Sequence, residues 1–125
     1  MNLQEYLKSV SNDETIKLPL GIKSNDNSDV YIRVLKAQKW GDFLNFFSEY
    51  AALEGKTDPK SLKRSKELAL EMICKLVVDE EGKNYLTLEL LNAMPAQMVA
   101  KIDSAVSAFI LEEQKNDKVE ELKKN

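Results

Sequence analysis

Histidine is absent from this chain and cysteine occurs once, which removes most of the familiar catalytic and metal chemistry. Histidine is the commonest general base near neutral pH, and together with cysteine it supplies the usual zinc ligands. A single cysteine also cannot form an internal disulfide. Because Cys74 lies among Met72, Ile73 and Leu76 in the sequence, we expect it to pack in the core as a small hydrophobic residue.

Glycine clusters, long apolar runs and excess charge of one sign are also missing. The four glycines stand far apart, so no Gly-rich phosphate loop is available. No apolar stretch approaches the roughly 18 residues that cross a bilayer, and the first residues lack the basic and then apolar order of an export signal. With 18 basic and 21 acidic residues, the chain has no strong field to attract phosphate backbones. We therefore expect a cytoplasmic protein with no cofactor, no metal, no membrane association and no nucleic-acid partner.

The length of 125 residues suits one domain with a core of its own. The expected class is α+β, mostly α-helical: a short N-terminal helix and a β-hairpin, followed by a bundle of three to four helices. We expect a single globular domain over residues 1–111, with the hairpin at about 14–35 and the helical region at about 37–111. Residues 112–125 are rich in charge and predict a frayed helix or a disordered tail.

The first third of the chain shows two different hydrophobic periods. Leu3, Tyr6, Leu7 and Val10 recur at helical spacing, and Asn2 is placed to cap that helix, with Glu5 three residues later. A break at residues 11–13 follows. From residue 16 to residue 35, two alternating apolar segments flank a run of six turn-forming residues, which predicts a hairpin. Pro19 lacks a backbone donor, so the first strand should lie at the edge of the sheet.

The remainder of the chain has the period of amphipathic helices. Helices are predicted at residues 37–54 and 59–78, as a short segment at 87–94, and from near Pro95 onwards. The second of these should turn Leu62, Ala69, Met72, Ile73, Leu76 and Val77 inward. The last has the clearest amphipathic pattern, which predicts that it is the central helix of the core; the residues of that pattern are Met98, Val99, Ile102, Ala105, Val106, Phe109 and Ile110.

Two charged clusters have both a functional and a structural interpretation. Asp79, Glu80 and Glu81 could hold a metal or share a proton, but they precede Gly82 and lack the alternating oxygen ligands of a calcium loop, which favours a solvated turn. Lys60, Lys63, Arg64 and Lys66 could contact phosphates. Carboxylates follow them directly and no aromatic residues interleave them, so a solvated face is favoured.

The helix at 37–54 carries more apolar surface than one core needs. One stripe consists of Trp40, Phe43, Leu44, Phe47 and Ala51, and an adjacent stripe of Phe46, Tyr50 and Leu53. Such a helix either lies between layers or presents a patch to another chain. The candidate partner-binding residues are Trp40, Phe43, Phe46, Tyr50 and Leu53, and we expect Phe46, Tyr50 and Leu53 to form the contact surface.

The order of elements resembles the tail assembly chaperones of long-tailed bacteriophages and prophages. The similarity covers roughly residues 1–125. Its most recognisable parts are the strand at 30–33, with the sequence Val-Tyr-Ile-Arg, and the turn at 77–83, with the sequence Val-Val-Asp-Glu-Glu-Gly-Lys. An aromatic and aliphatic pair, Tyr85 and Leu86, follows that turn.

This resemblance implies a non-enzymatic assembly factor in the cytoplasm of the bacterial host. Such a protein binds the tape-measure protein while subunits of the tail tube polymerise around it, which sets tail length, and it does not remain in the mature virion. The partners that the resemblance implies are the tape-measure protein, the tail tube protein and further copies of itself. The family often makes a longer product by ribosomal frameshifting. The codons for Lys123, Lys124 and Asn125 can form a slippery run of adenines, so we expect a shift site there.

Three other functions stay open at the level of sequence. The basic cluster suits a small DNA-binding regulatory protein, whose binding would depend steeply on salt concentration. An enzyme built on carboxylates would need Asp79, Glu80 or Glu81 to have an unusual proton affinity in a closed pocket. A structural tail-completion subunit would be found in purified virus particles.

Overall fold

The computed structural model describes the backbone of residues 1–9 and 14–124, and the side chains of those residues as far as residue 112. In that part of the chain, five helices and a three-stranded antiparallel sheet form an α+β fold that is mostly helical. The predicted fold class is therefore confirmed. The elements are α1 (Leu3–Ser9), β1 (Thr15–Lys23), β2 (Asp29–Leu35), α2 (Trp40–Leu53), α3 (Pro59–Leu76), β3 (Val77–Val78), α4 (Leu88–Ala93) and α5 (Ala96–Lys124).

α1 begins where its cap was predicted. The backbone N–H of Glu5 donates to Oδ1 of Asn2 at 2.9 Å, which satisfies one of the free donors of the first turn. Val10 and the predicted break at 11–13 lie outside the described residues, as does Asn125. The predicted tail begins within α5, whose backbone is helical as far as Lys124.

The hairpin matches the alternation in the sequence. Along β1, the apolar side chains at even positions are half-buried or buried and their neighbours are exposed. β1 pairs only with β2, in the order β1-β2-β3, so Pro19 lies on the edge strand as predicted. The turn is closed by Asp26, which accepts hydrogen bonds from the Ser24 hydroxyl and, at 3.0 Å, from the N–H of Ser28. These bonds lower the pKa of Asp26 to about 2.

α3 begins at a strong start signal and ends earlier than predicted. The Asp58 side chain accepts from the N–H of Ser61 at 3.0 Å, and Pro59 occupies the first helical position. The prediction that the helix continues to Val78 is wrong, because Val77 and Val78 form β3 and pair with Val34 and Arg33 of β2. Both valines are almost fully buried, and β-branched residues pack well on a sheet.

α4 and α5 close the other side of the core. Thr87 caps α4 through its hydroxyl oxygen, which accepts from the N–H of Leu90 at 3.1 Å. Ile102 and Val106 of α5 are buried, and the other residues of its predicted apolar pattern are half-buried against the core. The amphipathic prediction for α5 is thus confirmed.

α3, however, is the central helix, and the prediction that gave this place to α5 is wrong. α3 contacts α2, α4, α5 and β3, whereas α5 packs on β1 and α3. Four α3 side chains are buried, namely Leu68, Met72, Ile73 and Leu76. Ala69 is half-buried, but Leu62, which is also predicted to point inward, is exposed, because it lies on the first turns of α3 and the buried residues of that helix begin at Leu68.

Candidate partner-binding surface

The orientation of α2 is fixed by an ion-pair cluster between α2 and α3. The Arg64 guanidinium of α3 donates two hydrogen bonds to the Glu49 carboxylate of α2, both at 2.8 Å. It also donates to Glu71 at 3.0 Å. The hydrogen bonds from Arg64 lower the pKa of Glu49, and those to Glu49 and Glu71 raise the pKa of Arg64 above its ordinary value. A bidentate arginine contact of this kind fixes direction as well as distance, so Glu49 must face α3.

Both acidic residues of α2 lie on the side that faces α3. Asp42 and Glu49 line a hollow of about 200 Å³ between the two helices, opposite Glu71 and Lys75. Phe46 lies between them on the same side and packs against the core. The charged side chains of α2 therefore lie on its α3-facing side, where the Glu49 side chain is still half-exposed.

The solvent-facing side of α2 is apolar. We call the residues Trp40, Phe43, Leu44, Phe47 and Ala51 the α2 stripe; all five are exposed and none of them belongs to the core. The exposed fraction is 70% for Trp40 and 55% for Phe47. Trp40 stacks on Phe43 with ring centroids 5.6 Å apart, and Phe43 stacks on Phe47 at 5.8 Å.

This arrangement inverts the usual polarity of a surface helix, which turns its charges outward. Among residues 40–53 the charged positions are Asp42 and Glu49, and both face α3, so the α2 stripe has no charged residue within it. A contiguous apolar patch on a small protein marks a site of association. The chemistry open to the α2 stripe is the burial of another apolar surface.

The five candidate residues do not form one surface. Trp40 and Phe43 belong to the α2 stripe, whereas Phe46 packs against the core and Leu53 is half-buried beside Arg64. Tyr50 is half-exposed at the margin between the two sides, stacked on Phe46 at 5.7 Å. The contact surface expected at Phe46, Tyr50 and Leu53 thus contains two residues that help to hold α2 in place.

Leu44 and Phe47 are not among the predicted partner-binding residues, although the helical period places both on the same stripe as Trp40 and Phe43. The signal that could have found them is the position of the charges. Asp42 and Glu49 lie on the same helical face as Phe46 and Leu53. If that face packs against the protein, its two carboxylates require a cation on the neighbouring element. Arg64 is that cation.

The basic cluster on α3 is not a uniform positive surface. Arg64 is engaged by Glu49 and Glu71, and its guanidinium lies 3.4 Å from Glu67. Lys60, Lys63 and Lys66 are exposed on the same helix. The positive charge of the cluster is therefore partly neutralised by carboxylates of the protein itself.

The acidic turn is stabilised by hydrogen bonds between the Asp79 carboxylate and backbone N–H groups of the same turn. Oδ1 of Asp79 accepts from the N–H of Glu81 at 2.8 Å and of Lys83 at 3.0 Å, and Gly82 adopts a positive φ of 82°. The prediction of a structural turn is confirmed by these bonds. Within the described residues, no group of three His, Cys, Asp or Glu side chains could hold a metal ion.

Cys74 is half-buried against the core, in agreement with its predicted packing role. Burial raises the pKa of its thiol, and the nearby Glu71 carboxylate raises it further. A thiol with a raised pKa is a poor nucleophile near neutral pH.

Comparison of the chain with protein-family models, with curated proteins and with solved structures finds no match. Among the described residues, no helix combines the length and the apolar character that crossing a membrane requires.

Proposed function

We propose that the protein is a non-enzymatic tail assembly chaperone of a bacteriophage or prophage. It binds the tape-measure protein in the cytoplasm of the host and leaves before the virion is complete. The observation that carries this proposal is the α2 stripe, an uncharged aromatic surface on the outside of a helix whose charges face inward. The resemblance in the order of elements supplies the identity of the client.

The α2 stripe suits a client with exposed apolar helical faces. A tape-measure protein is a very long and largely helical chain, and its apolar faces would aggregate if they stayed exposed to water. Trp40, Phe43, Leu44 and Phe47 follow the i, i+3, i+4, i+7 spacing by which one amphipathic helix packs along another. Stiff aromatic side chains lose little conformational entropy on contact, which suits a surface that must accept many similar helical segments.

An enzymatic role has less support from the same residues. Asp79, which would be central to a carboxylate site, already accepts two backbone hydrogen bonds within its own turn. The DNA-binding alternative also has less support, because Arg64 is paired with Glu49 and Glu71 and so is not free to contact phosphate. Association with tail tube subunits belongs to the proposal but has no separate surface assigned to it.

The experiment that tests the proposal is co-expression with the very long helical protein encoded nearby. The unmodified chain should keep that protein soluble and co-purify with it. A Trp40→Ser, Phe47→Ser variant should lose both effects, since it removes the most exposed side chains of the α2 stripe without touching the core.

The matched control is Tyr31→Ser, Tyr85→Ser, which removes two aromatic side chains of similar exposure beside the sheet. It should leave solubilisation intact. The proposal is abandoned if the long protein stays insoluble with the unmodified chain. If the control variant and the stripe variant fail equally, the client does not bind at the α2 stripe.

A further inference from the structure

We propose that two copies of this chain exchange their first helices, so that α1 of each copy packs on the α2 stripe of the other. The exchange uses the α2 stripe, which is also the surface that the proposed function assigns to the client. Its connection with client binding therefore rests on the proposed function. The dimer itself needs no client.

α1 lacks a packing surface among the residues that the structure describes. It has seven residues and none of them is buried. Leu3, Tyr6 and Leu7 are each more than half exposed. Isolated helices shorter than about 12–15 residues are marginal in water, so a seven-residue helix must be stabilised by tertiary packing. A second copy can provide the packing that the single copy lacks.

The two apolar faces fit each other in spacing and charge. Leu3, Tyr6 and Leu7 lie at i, i+3 and i+4, which places them on one face of α1, while Glu5 and Lys8 lie on the other. The α2 stripe has the same spacing and is free of charge. Contact between these faces therefore leaves the charged side chains of α1 in water.

The connectivity brings α1 and α2 to the same end of the molecule. The N–H of Lys36 donates to the carbonyl of Glu14 at 2.7 Å, and Thr15 pairs with Leu35. The chain thus enters β1 beside the point where it leaves β2 towards α2. Five residues, 10 to 14, separate α1 from β1, and they span at most about 18 Å. An exchange of short arms over this distance requires a twofold axis close to this end of the hairpin.

The area is sufficient for a weak dimer. The aromatic side chains of α2 carry about 150–250 Å² each, so partial exposure leaves on the order of 400 Å² on one copy. α1 adds the exposed parts of Leu3, Tyr6 and Leu7, and the second copy doubles the total. The exchange thus buries on the order of 1,000 Å², near the lower limit for a specific interface. A longer client helix would compete effectively with an α1 arm of seven residues.

The experiment measures the mass in solution of full-length chains by sedimentation equilibrium, without a client. The unmodified chain should be a dimer at micromolar concentration. An α1 variant, Leu3→Ser with Leu7→Ser, and an α2 variant, Trp40→Ser with Phe47→Ser, should each raise the dimer Kd by at least about tenfold. The Tyr31→Ser, Tyr85→Ser control should dimerise like the unmodified chain, and circular dichroism should show equal folding of all four.

Mixing the two weakened variants separates exchange from other arrangements. A mixed dimer contains one intact junction, between α1 of the α2 variant and α2 of the α1 variant, so the mixture should contain more dimer than either variant alone at the same total concentration. If the α1 variant dimerises normally while the α2 variant does not, the copies associate through α2 alone and the exchange is overturned. A monomeric unmodified chain, or a mixture with no more dimer than the variants form alone, overturns it as well.

Failure of this inference is distinct from failure of the proposed function. A monomeric chain that solubilises the long helical protein would remove the exchange and keep the chaperone. A dimer that ignores the long protein would keep the exchange and remove the chaperone.

Discussion

At the residue scale, position along α3 decides how much a leucine contributes to the stability of the fold. Leu68 and Leu62 have the same chemistry and the same helix, but Leu68 is 2% exposed and Leu62 is 51% exposed. Leu68 lies between the ion pairs of Arg64 and the buried Met72, where α2, α3 and the core meet. Leu62 lies on the first turns of α3, before its contacts with the core begin.

Leu68→Ala should therefore lower the free energy of unfolding by about 2–5 kcal/mol, because it leaves a cavity in packed surroundings. Leu62→Ala is the matched control and should change that free energy by no more than about 0.5 kcal/mol. Urea denaturation of both variants measures the difference. Equal costs for the two substitutions would contradict the described packing of α3.

At the scale of the element, α2 has two aromatic faces with different duties. Two adjacent phenylalanines lie on different faces: Phe46 packs against the core, and Phe47 lies in the α2 stripe. The ion pair between Arg64 and Glu49 fixes which face is which. Rotation of α2 by one residue would move Phe47 inward and separate these charges.

Phe46→Ala should cost about 2 kcal/mol of unfolding free energy, less than the loss expected for a fully buried phenylalanine, since Phe46 is only partly buried. Phe47→Ala should leave the thermal midpoint almost unchanged while reducing any association that uses the α2 stripe. Thermal unfolding at low protein concentration separates the two effects. A larger stability loss for Phe47 than for Phe46 would show that α2 faces the other way.

At the scale of the whole molecule, the carboxylates whose pKa values are shifted respond to acid. The pKa values of Asp26, Glu49 and Asp58 are lowered in the folded state, in each case by hydrogen bonds that the carboxylate accepts. No histidine titrates between pH 6 and pH 8. Burial also raises the pKa of the Cys74 thiol above its ordinary value.

We expect the stability to be nearly constant from pH 6 to pH 8 and to fall in acid. Groups with lowered folded pKa values contribute stability that is fully present above their unfolded pKa, about 4, and is lost as the pH falls through the folded values. The decline should thus begin near pH 4 and continue towards the pKa of Asp26, about 2. Urea midpoints measured across this pH range test the profile.

The control for the acid profile is Asp58→Asn. Asparagine keeps an oxygen that can cap α3 but cannot titrate, so the variant should lose less stability than the unmodified chain between pH 4 and pH 2. An identical decline in both chains would mean that the Asp58 cap has no part in the acid response.

The sequence by itself determined the elements whose signals are local. The cap at Asn2, the alternation along β1, the start of α3 at Asp58 and the apolar pattern of α5 each depend on residues close together in the chain, and the structure confirms them. The fold class followed from the order of these periods. Physical chemistry over a few residues is sufficient for each of them.

Only the tertiary structure decided the outcomes that depend on distant partners. Val77 and Val78 leave the helical pattern because the free edge of β2 accepts them as a strand. α3 is the central helix because it lies against α2, α4 and α5. Which side of α2 faces solvent was settled by Arg64, 15 residues after Glu49 in the chain but 2.8 Å from its carboxylate in space. Helical periodicity defines two faces, and only the neighbouring element selects the one that is buried.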